Sequence, residues 1–242
     1  IAKALVAGKI HNQRVLLMRN HISPPAGALL QLKQLRKKVE RATSSEMLLG
    51  IEGSAARVYF ENFSGMLKPG DAPLDPAAAL GKPPRYAFDF RHRNRRPPRD
   101  PVNAMLSFAY TLLSKDLTVI AAAVGFDPYL GFYHLPRPGR PALSLDLMEP
   151  FRPLIAESVV ITAINNRMVY PEHFVEAGRG VTMTGAGRKA FFRAYEQRMD
   201  QLVTHPLFDY RVSYRRLLEI QTRLMARLVT GELQHFPVFV TR

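Results

Sequence analysis

The sequence predicts an all-α fold. Three observations carry that expectation. Apolar residues recur at helical spacing over most of the 242 residues, helix ends are marked by capping side chains and prolines, and strand-like alternation is thin. No internal repeat is visible, and the length suits one large domain, so residues 1–242 read as a single helical unit.

The first helix is expected from Ile1 to about Arg19, with Leu5, Val6, Ile10, Leu16 and Leu17 at helical spacing. Ser23-Pro24-Pro25-Ala26-Gly27 stops it. A second, from Ala28 to about Arg41, places Leu29, Leu32, Leu35 and Val39 on one stripe. Ser44 or Ser45 caps a third that runs to about Phe63. Residues 64–101 lack periodicity and hold eight prolines and the basic run Arg91-His92-Arg93-Asn94-Arg95-Arg96, so they read as a long loop. Asp100-Pro101 is a cap followed by a first-turn proline, and it opens a helix from Val102 to about Val124. After an irregular stretch from Gly125 to Pro141, Ser144 opens a helix to about Asn165, whose first turns Pro150 and Pro153 shorten, kink or delay. A connector with at most a short strand spans Asn166 to Thr182. Thr184 caps a helix from Gly185 to about Thr204, and Tyr210 to about Thr230 forms the last.

Lys and Arg exceed Asp and Glu by 34 − 20 = 14, and such a surface concentrates polyanions. DNA or RNA is the expected partner. An anionic membrane is the weaker alternative, because the longest apolar stretch, Leu117 to Phe126, is short for a spanning helix. Absence of cysteine excludes disulfides, thiolate metal sites and cysteine-held iron–sulfur clusters from these residues, and it agrees with a cytosolic protein. The chain lacks an initiator Met and a signal peptide and opens directly into helical periodicity, so it reads as a segment of a longer protein.

Three short motifs carry the candidate chemistry. Gly50-Ile51-Glu52-Gly53-Ser54-Ala55-Ala56-Arg57 places a carboxylate among small residues inside a helix, where each glycine costs about 1 kcal/mol relative to alanine. The small side chains let a substrate approach Glu52, although tight helix packing explains them equally well. Gly131-Phe132-Tyr133-His134 sets one imidazole in an apolar loop. Ser144-Leu145-Asp146-Leu147-Met148-Glu149 spaces two carboxylates three apart, on one helical face, although acids in a first turn also complement a helix dipole. Carboxylates with an imidazole suit a divalent cation that keeps open positions for a phosphate.

The stretches Leu49 to Arg57, Asp100-Pro101-Val102-Asn103-Ala104-Met105-Leu106-Ser107 and Gly131 to Arg152, with Ile164-Asn165-Asn166-Arg167 and Gly187-Arg188-Lys189, resemble one family. It is the CRISPR-associated integrase, the catalytic subunit of spacer acquisition, and the resemblance spans essentially the whole chain as that family's helical C-terminal catalytic domain. The resemblance implies that Glu52, His134 and Glu149 hold Mg²⁺ or Mn²⁺, and that Asp146 supports them. One departure is Pro150, directly after the third ligand, where a residue with a backbone N–H is more usual. The resemblance also implies a β-rich N-terminal domain that builds a homodimer, a small ferredoxin-like partner subunit, an iron–sulfur nuclease that is separate or fused, and a prokaryotic cytoplasm.

On this reading the 3′-hydroxyl of a short DNA fragment attacks a phosphodiester at the edge of a CRISPR repeat, and attack by water gives nuclease activity. The imidazole leans toward Mn²⁺. DNA is expected at Arg91, Arg93, Arg95, Arg96, Arg137, Arg140, Arg152, Arg167, Arg188 and Lys189. Tyr214-Arg215-Arg216 with Arg223 reads either as another phosphate-facing stripe or as an ordinary polar helix face. The rival readings are a helical DNA-binding scaffold without activity and a structure-selective nuclease for branched DNA.

Overall fold

The computed structural model describes residues 1–68, 86–206 and 209–241. Helices dominate these residues, as the apolar spacing requires: α1 (Ala2–Asn20), α2 (Ala26–Glu40), α3 (Ser45–Glu61), α4 (Pro101–Val124), α5 (Ala142–Leu147), α6 (Ser158–Asn165), α7 (Gly185–Asp200) and α8 (Tyr214–Val229). The caps act where the sequence places them. Ser44 accepts from the Met47 N–H at 3.2 Å, Asp100 from Asn103 at 2.8 Å and Thr184 from Gly187 at 3.1 Å. Gly125 closes α4 at φ 104°, a backbone angle that side chains with a Cβ resist.

Two regions differ from the expectation. The single helix expected from Ser144 to Asn165 is α5, a turn, a π-helical segment (Arg152–Glu157) and α6. The prolines explain the break: Pro153 has no N–H to return to the Glu149 carbonyl, and Pro150 cannot continue α5. The Pro150 carbonyl instead accepts from Asn12 Nδ2 at 2.8 Å. The expected helices to Thr204 and from Tyr210 each overrun a short antiparallel pair, β3 (Leu202–Thr204) with β4 (Arg211–Ser213), which takes Leu202-Val203-Thr204 out of α7. The connector holds a full hairpin, β1 (Phe174–Ala177) with β2 (Gly180–Met183), in register Phe174↔Met183. Part of the long loop expected over residues 64–101, residues 69–85, lies outside the described residues.

α4 is the central helix. By length and composition it could cross a membrane, which the short Leu117–Phe126 run alone did not suggest. In the fold it buries Val102, Met105, Leu106, Ala109, Leu113, Leu117 and Ala121, packing on α5, α6, α8 and the π-helical segment. On the opposite side α1 packs on α2 and α3 and buries Lys9, Asn12 and Gln13 besides its apolar residues. Asn12 ties α1 to distant chain: Nδ2 also reaches the Phe239 carbonyl at 3.2 Å, and Oδ1 accepts from Thr241 N at 3.0 Å. The approach is close, since a Cβ on Gly8 would lie 2.5 Å from Val238 Cγ1. This anchoring sets Lys9, on α1, against Glu52, on α3, and Glu149, after α5.

Candidate active site

The site is built around Asp146, which is fully buried. Its Oδ2 accepts from the backbone N–H groups of Phe132 (2.6 Å) and Tyr133 (2.9 Å), and its Oδ1 from the backbone of His134 (2.9 Å). The loop can wrap the carboxylate this closely because Gly131 has no side chain: a Cβ there would meet Asp146 Oδ2 at 2.9 Å and the His134 carbonyl at 2.7 Å. The fourth bond, from His134 Nδ1 to Asp146 Oδ1 at 2.6 Å, fixes the ring. The other ring nitrogen, Nε2, stands 3.8 Å from Glu149 Oε1.

Glu149 is 1% exposed and meets two cations. Arg152 Nε donates to its Oε1 at 3.0 Å, and Lys9 Nζ lies 2.7 Å from its Oε2. Burial pulls the Glu149 carboxyl upward, but Arg152, Lys9 and His134 outweigh it and hold the group below its ordinary range. Lys9 is opposed by the same burial, yet Glu149 and Glu52 hold its ammonium above the ordinary lysine value. Lys9 Nζ also donates to Glu52 Oε1, so one ammonium bridges both carboxylates. Glu52 Oε2 accepts from the Tyr133 hydroxyl at 2.5 Å. Burial, and then that bond to Glu52, push the Tyr133 hydroxyl far above its usual range, so it remains a donor.

These groups open onto a cleft of ≈ 820 Å³ walled by Arg95, Arg96, Arg137, Arg140 and Arg152. The chain holds the basic loop there at both ends. Asn103, buried on α4, donates to the His92 carbonyl at 2.9 Å and accepts from Asn94 N at 3.0 Å, and β2 donates from Val181 N to the Pro98 carbonyl at 2.8 Å.

Glu52, His134, Asp146 and Glu149, on three separate segments, are therefore brought together. As the side chains stand, however, no three His, Asp or Glu among the described residues are disposed to close on one ion. The ammonium of Lys9 stands between Glu52 and Glu149. The donors fit a divalent ion in kind: one oxygen from each glutamate and His134 Nε2, which lies 3.8 Å from Glu149 Oε1.

The basic residues divide. Arg95, Arg96 and Arg137 are exposed, and Arg140 is half-buried at the same cleft. Arg91, Arg167, Arg188 and Lys189 are exposed outside its wall. Arg93 turns inward, donating to Asn103 Oδ1 (2.6 Å) and Ser107 Oγ (3.1 Å), with Cζ 5.5 Å from the Tyr110 ring centre. Arg152 pairs with Glu149 and lies 4.9 Å over the same ring. Lys9 and Tyr133 are absent from the residues the sequence motifs single out. The signal for Lys9 was a polar stripe, Lys9, Asn12 and Gln13, at helical spacing among the apolar residues of α1.

Fold and cleft together define a helical domain with a carboxylate–imidazole cluster facing a basic groove. The chain belongs to the CRISPR associated protein Cas1 family, whose model matches residues 1–197. It is 50% identical over its whole length to a CRISPR-associated exonuclease Cas4/endonuclease Cas1 fusion of Geobacter sulfurreducens, covering 42% of that protein. It is 39% identical, also over its whole length, to a CRISPR-associated endonuclease Cas1 of Thermus thermophilus, covering 67%. The chain thus spans less than half of the fusion relatives it matches. Among solved structures, a Cas1 protein from Thermotoga maritima superposes with a TM-score of 0.79 at 25% identity, over 96% of this chain and 65% of that one. A chain of a partial Cas6-RT-Cas1–Cas2 complex superposes with a TM-score of 0.81 at 28% identity, over all of this chain and 68% of that one.

Proposed function

We propose that this chain is the catalytic domain of a metal-dependent DNA integrase and endonuclease that inserts short DNA fragments into a CRISPR repeat array. One observation carries the reading: buried Asp146 orients His134 so that Nε2 faces Glu149 across a cleft that also holds Glu52 and is walled by arginines. A carboxylate behind a histidine in this way fixes the tautomer that a metal ligand needs. Glu52, His134 and Glu149 would hold Mg²⁺ or Mn²⁺. Such an ion, when bound, supplies Lewis acidity to a phosphodiester and charge for the departing oxygen.

The chain's own residues do the rest. Tyr133 and Arg152 hold Glu52 and Glu149 in place. Arg95, Arg96, Arg137 and Arg140 bind phosphates on either side of the reacting one. The oxygen of a DNA 3′-hydroxyl forms a bond to phosphorus while the bond to the original 3′-oxygen breaks, and the proton of the attacking hydroxyl ends on the leaving one. Water in place of the hydroxyl gives strand cleavage. The relatives named as exonuclease Cas4/endonuclease Cas1 fusions and the Cas6-RT-Cas1–Cas2 complex support an exonuclease and Cas2 as partners; a second copy of the chain, DNA and the small size of the partner subunit are part of the proposal.

The test is joining of a short duplex to a repeat-bearing plasmid by the full-length protein in Mn²⁺ and in Mg²⁺, with DNA binding measured in parallel. Glu52→Ala and His134→Ala are expected to lose joining and cleavage together at near-normal DNA affinity. Robust joining by metal-replete Glu52→Ala protein rejects the reading, and loss of DNA affinity in step with activity favours a scaffold role for these residues.

A further inference from the structure

We infer that Lys9 is a built-in occupant of the metal position: its ammonium bridges Glu52 and Glu149 in the ion-free protein and must be displaced when a divalent cation binds. The inference rests on the metal site proposed above.

A buried carboxylate and a half-buried one facing each other without a cation between them would repel each other, the more so where water is largely excluded. Arg152 relieves one of them, at Glu149 Oε1, and reaches neither Glu149 Oε2 nor Glu52 by any hydrogen bond. Lys9 takes the remaining edge of each, Glu52 Oε1 and Glu149 Oε2, and so stands between the two glutamates that a shared ion would have to bridge. A divalent ion cannot share that space with an ammonium group. Its arrival therefore has to move Nζ.

The lysine stem has the freedom for this. Lys9 sits on rigid α1, pinned one turn later by Asn12, so its Cα stays in place while four rotatable bonds swing the head. The cleft beside it is the one lined by Arg95, Arg96 and Arg140. Swung outward, the ammonium joins the cations that face a DNA phosphate. Ion loading and phosphate binding are then linked, since a phosphate in the cleft gives the displaced ammonium a new anionic partner.

The competition has a sign opposite to that of a residue that merely supports the site. Loss of a supporting residue weakens metal binding, whereas loss of a competitor strengthens it. Mn²⁺ affinity, read by electron paramagnetic resonance on the full-length protein without DNA, is expected to rise roughly tenfold in Lys9→Met, as removal of one nearby positive charge implies. Lys9→Gln, which keeps hydrogen-bonding groups without the charge, guards against a folding failure of Lys9→Met and should rise likewise. In the wild type, the ¹⁵Nζ resonance of Lys9 should be protected from exchange in the ion-free protein and lose that protection on addition of Mg²⁺. Unchanged or weaker Mn²⁺ binding in both variants, with wild-type binding intact and abolished by Glu52→Gln, overturns the role of Lys9 and leaves the metal site standing. Wild-type protein with no Mn²⁺ binding sensitive to Glu52→Gln overturns both.

Discussion

Glutamates ringed by cations occur in two regions of this chain, in opposite surroundings. At the cleft, Glu149 is paired with Lys9 and Arg152, with side chains 2%, 9% and 16% exposed. On α8, Glu219 is paired with Arg216 and Arg223, with side chains 29%, 57% and 60% exposed, and Arg215 reaches Glu196 on α7 at 2.8 Å. The pairs are of the same kind and much the same length. Their energetic meaning differs because water screens one set and is excluded from the other. Buried charges hold each other in place at high stakes, while exposed pairs decorate a helix. The α7–α8 arginines, read from sequence as either a phosphate stripe or a polar face, are engaged by neighbouring carboxylates on a solvated surface.

The largest effect that would sharpen this contrast comes from Asp146. Its carboxylate accepts four N–H donors, so Asp146→Asn turns an amide toward at least one donor and weakens the hold on His134. Strand joining is expected to fall about 10- to 100-fold, less than for loss of a metal ligand. Steady-state joining rates alongside those of His134→Ala check this. Equal losses would place Asp146 among the ligands.

The arginine run separates next. Arg93→Ala removes the half-buried bonds to the Asn94 carbonyl, Asn103 and Ser107 and should destabilise the fold by about 1–3 kcal/mol in urea denaturation. Arg95→Ala with Arg96→Ala should leave stability alone and flatten the dependence of DNA affinity on salt, by about 0.9 in logarithmic slope for each phosphate no longer neutralised. The opposite assignment, a salt effect for Arg93 alone, would mean that the inward conformation opens on DNA.

Helices were legible because their signals are local. Ser44, Asp100, Thr184 and Gly125 act within a turn of their own positions, and apolar spacing does the rest. The hairpins were not, because three- and four-residue strands carry too little alternation to stand out from helix ends. At the site, Glu52, His134, Asp146 and Glu149 were legible through their motifs. Lys9 was not: its partners lie 43 and 140 positions away, and only the tertiary fold supplies them. The inward turn of Arg93 was not legible in its basic run, because its anchor, Asn103, lies on the next helix.

Behind the cleft, Glu157 offers a comparison within the buried set. Tyr110 donates to its Oε1 at 2.7 Å, and the buried Tyr59 hydroxyl faces the same carboxylate. Burial raises its carboxyl above the ordinary 4.5 in spite of Tyr110, Lys9 and Arg152. Unfolding then releases a proton between pH 4.5 and the raised native value, so stability falls as pH climbs through that window. Glu157→Gln cannot release that proton, and its amide oxygen still accepts from Tyr110. The Tm difference, variant minus wild type, should therefore grow from about pH 4 to about pH 8. A difference independent of pH would mean that Lys9 and Arg152 already neutralise Glu157.

The smallest effect completes the contrast on the exposed side. Arg215 bridges Glu196 and Asp200 at 2.8 and 3.4 Å, the first of them as short as the pairs at the cleft. Its side chain is 46% exposed, Asp200's 70%, so solvent and salt screen the attraction and ordering the long side chain offsets part of what remains. Arg215→Ala should cost no more than about 0.5 kcal/mol in low salt and less at about 1 M NaCl. Urea midpoints at the two salt concentrations measure both numbers. A loss several times larger that persists in high salt would show that the α7–α8 pairs behave like the buried cluster, and exposure would then fail as the property that separates the two regions.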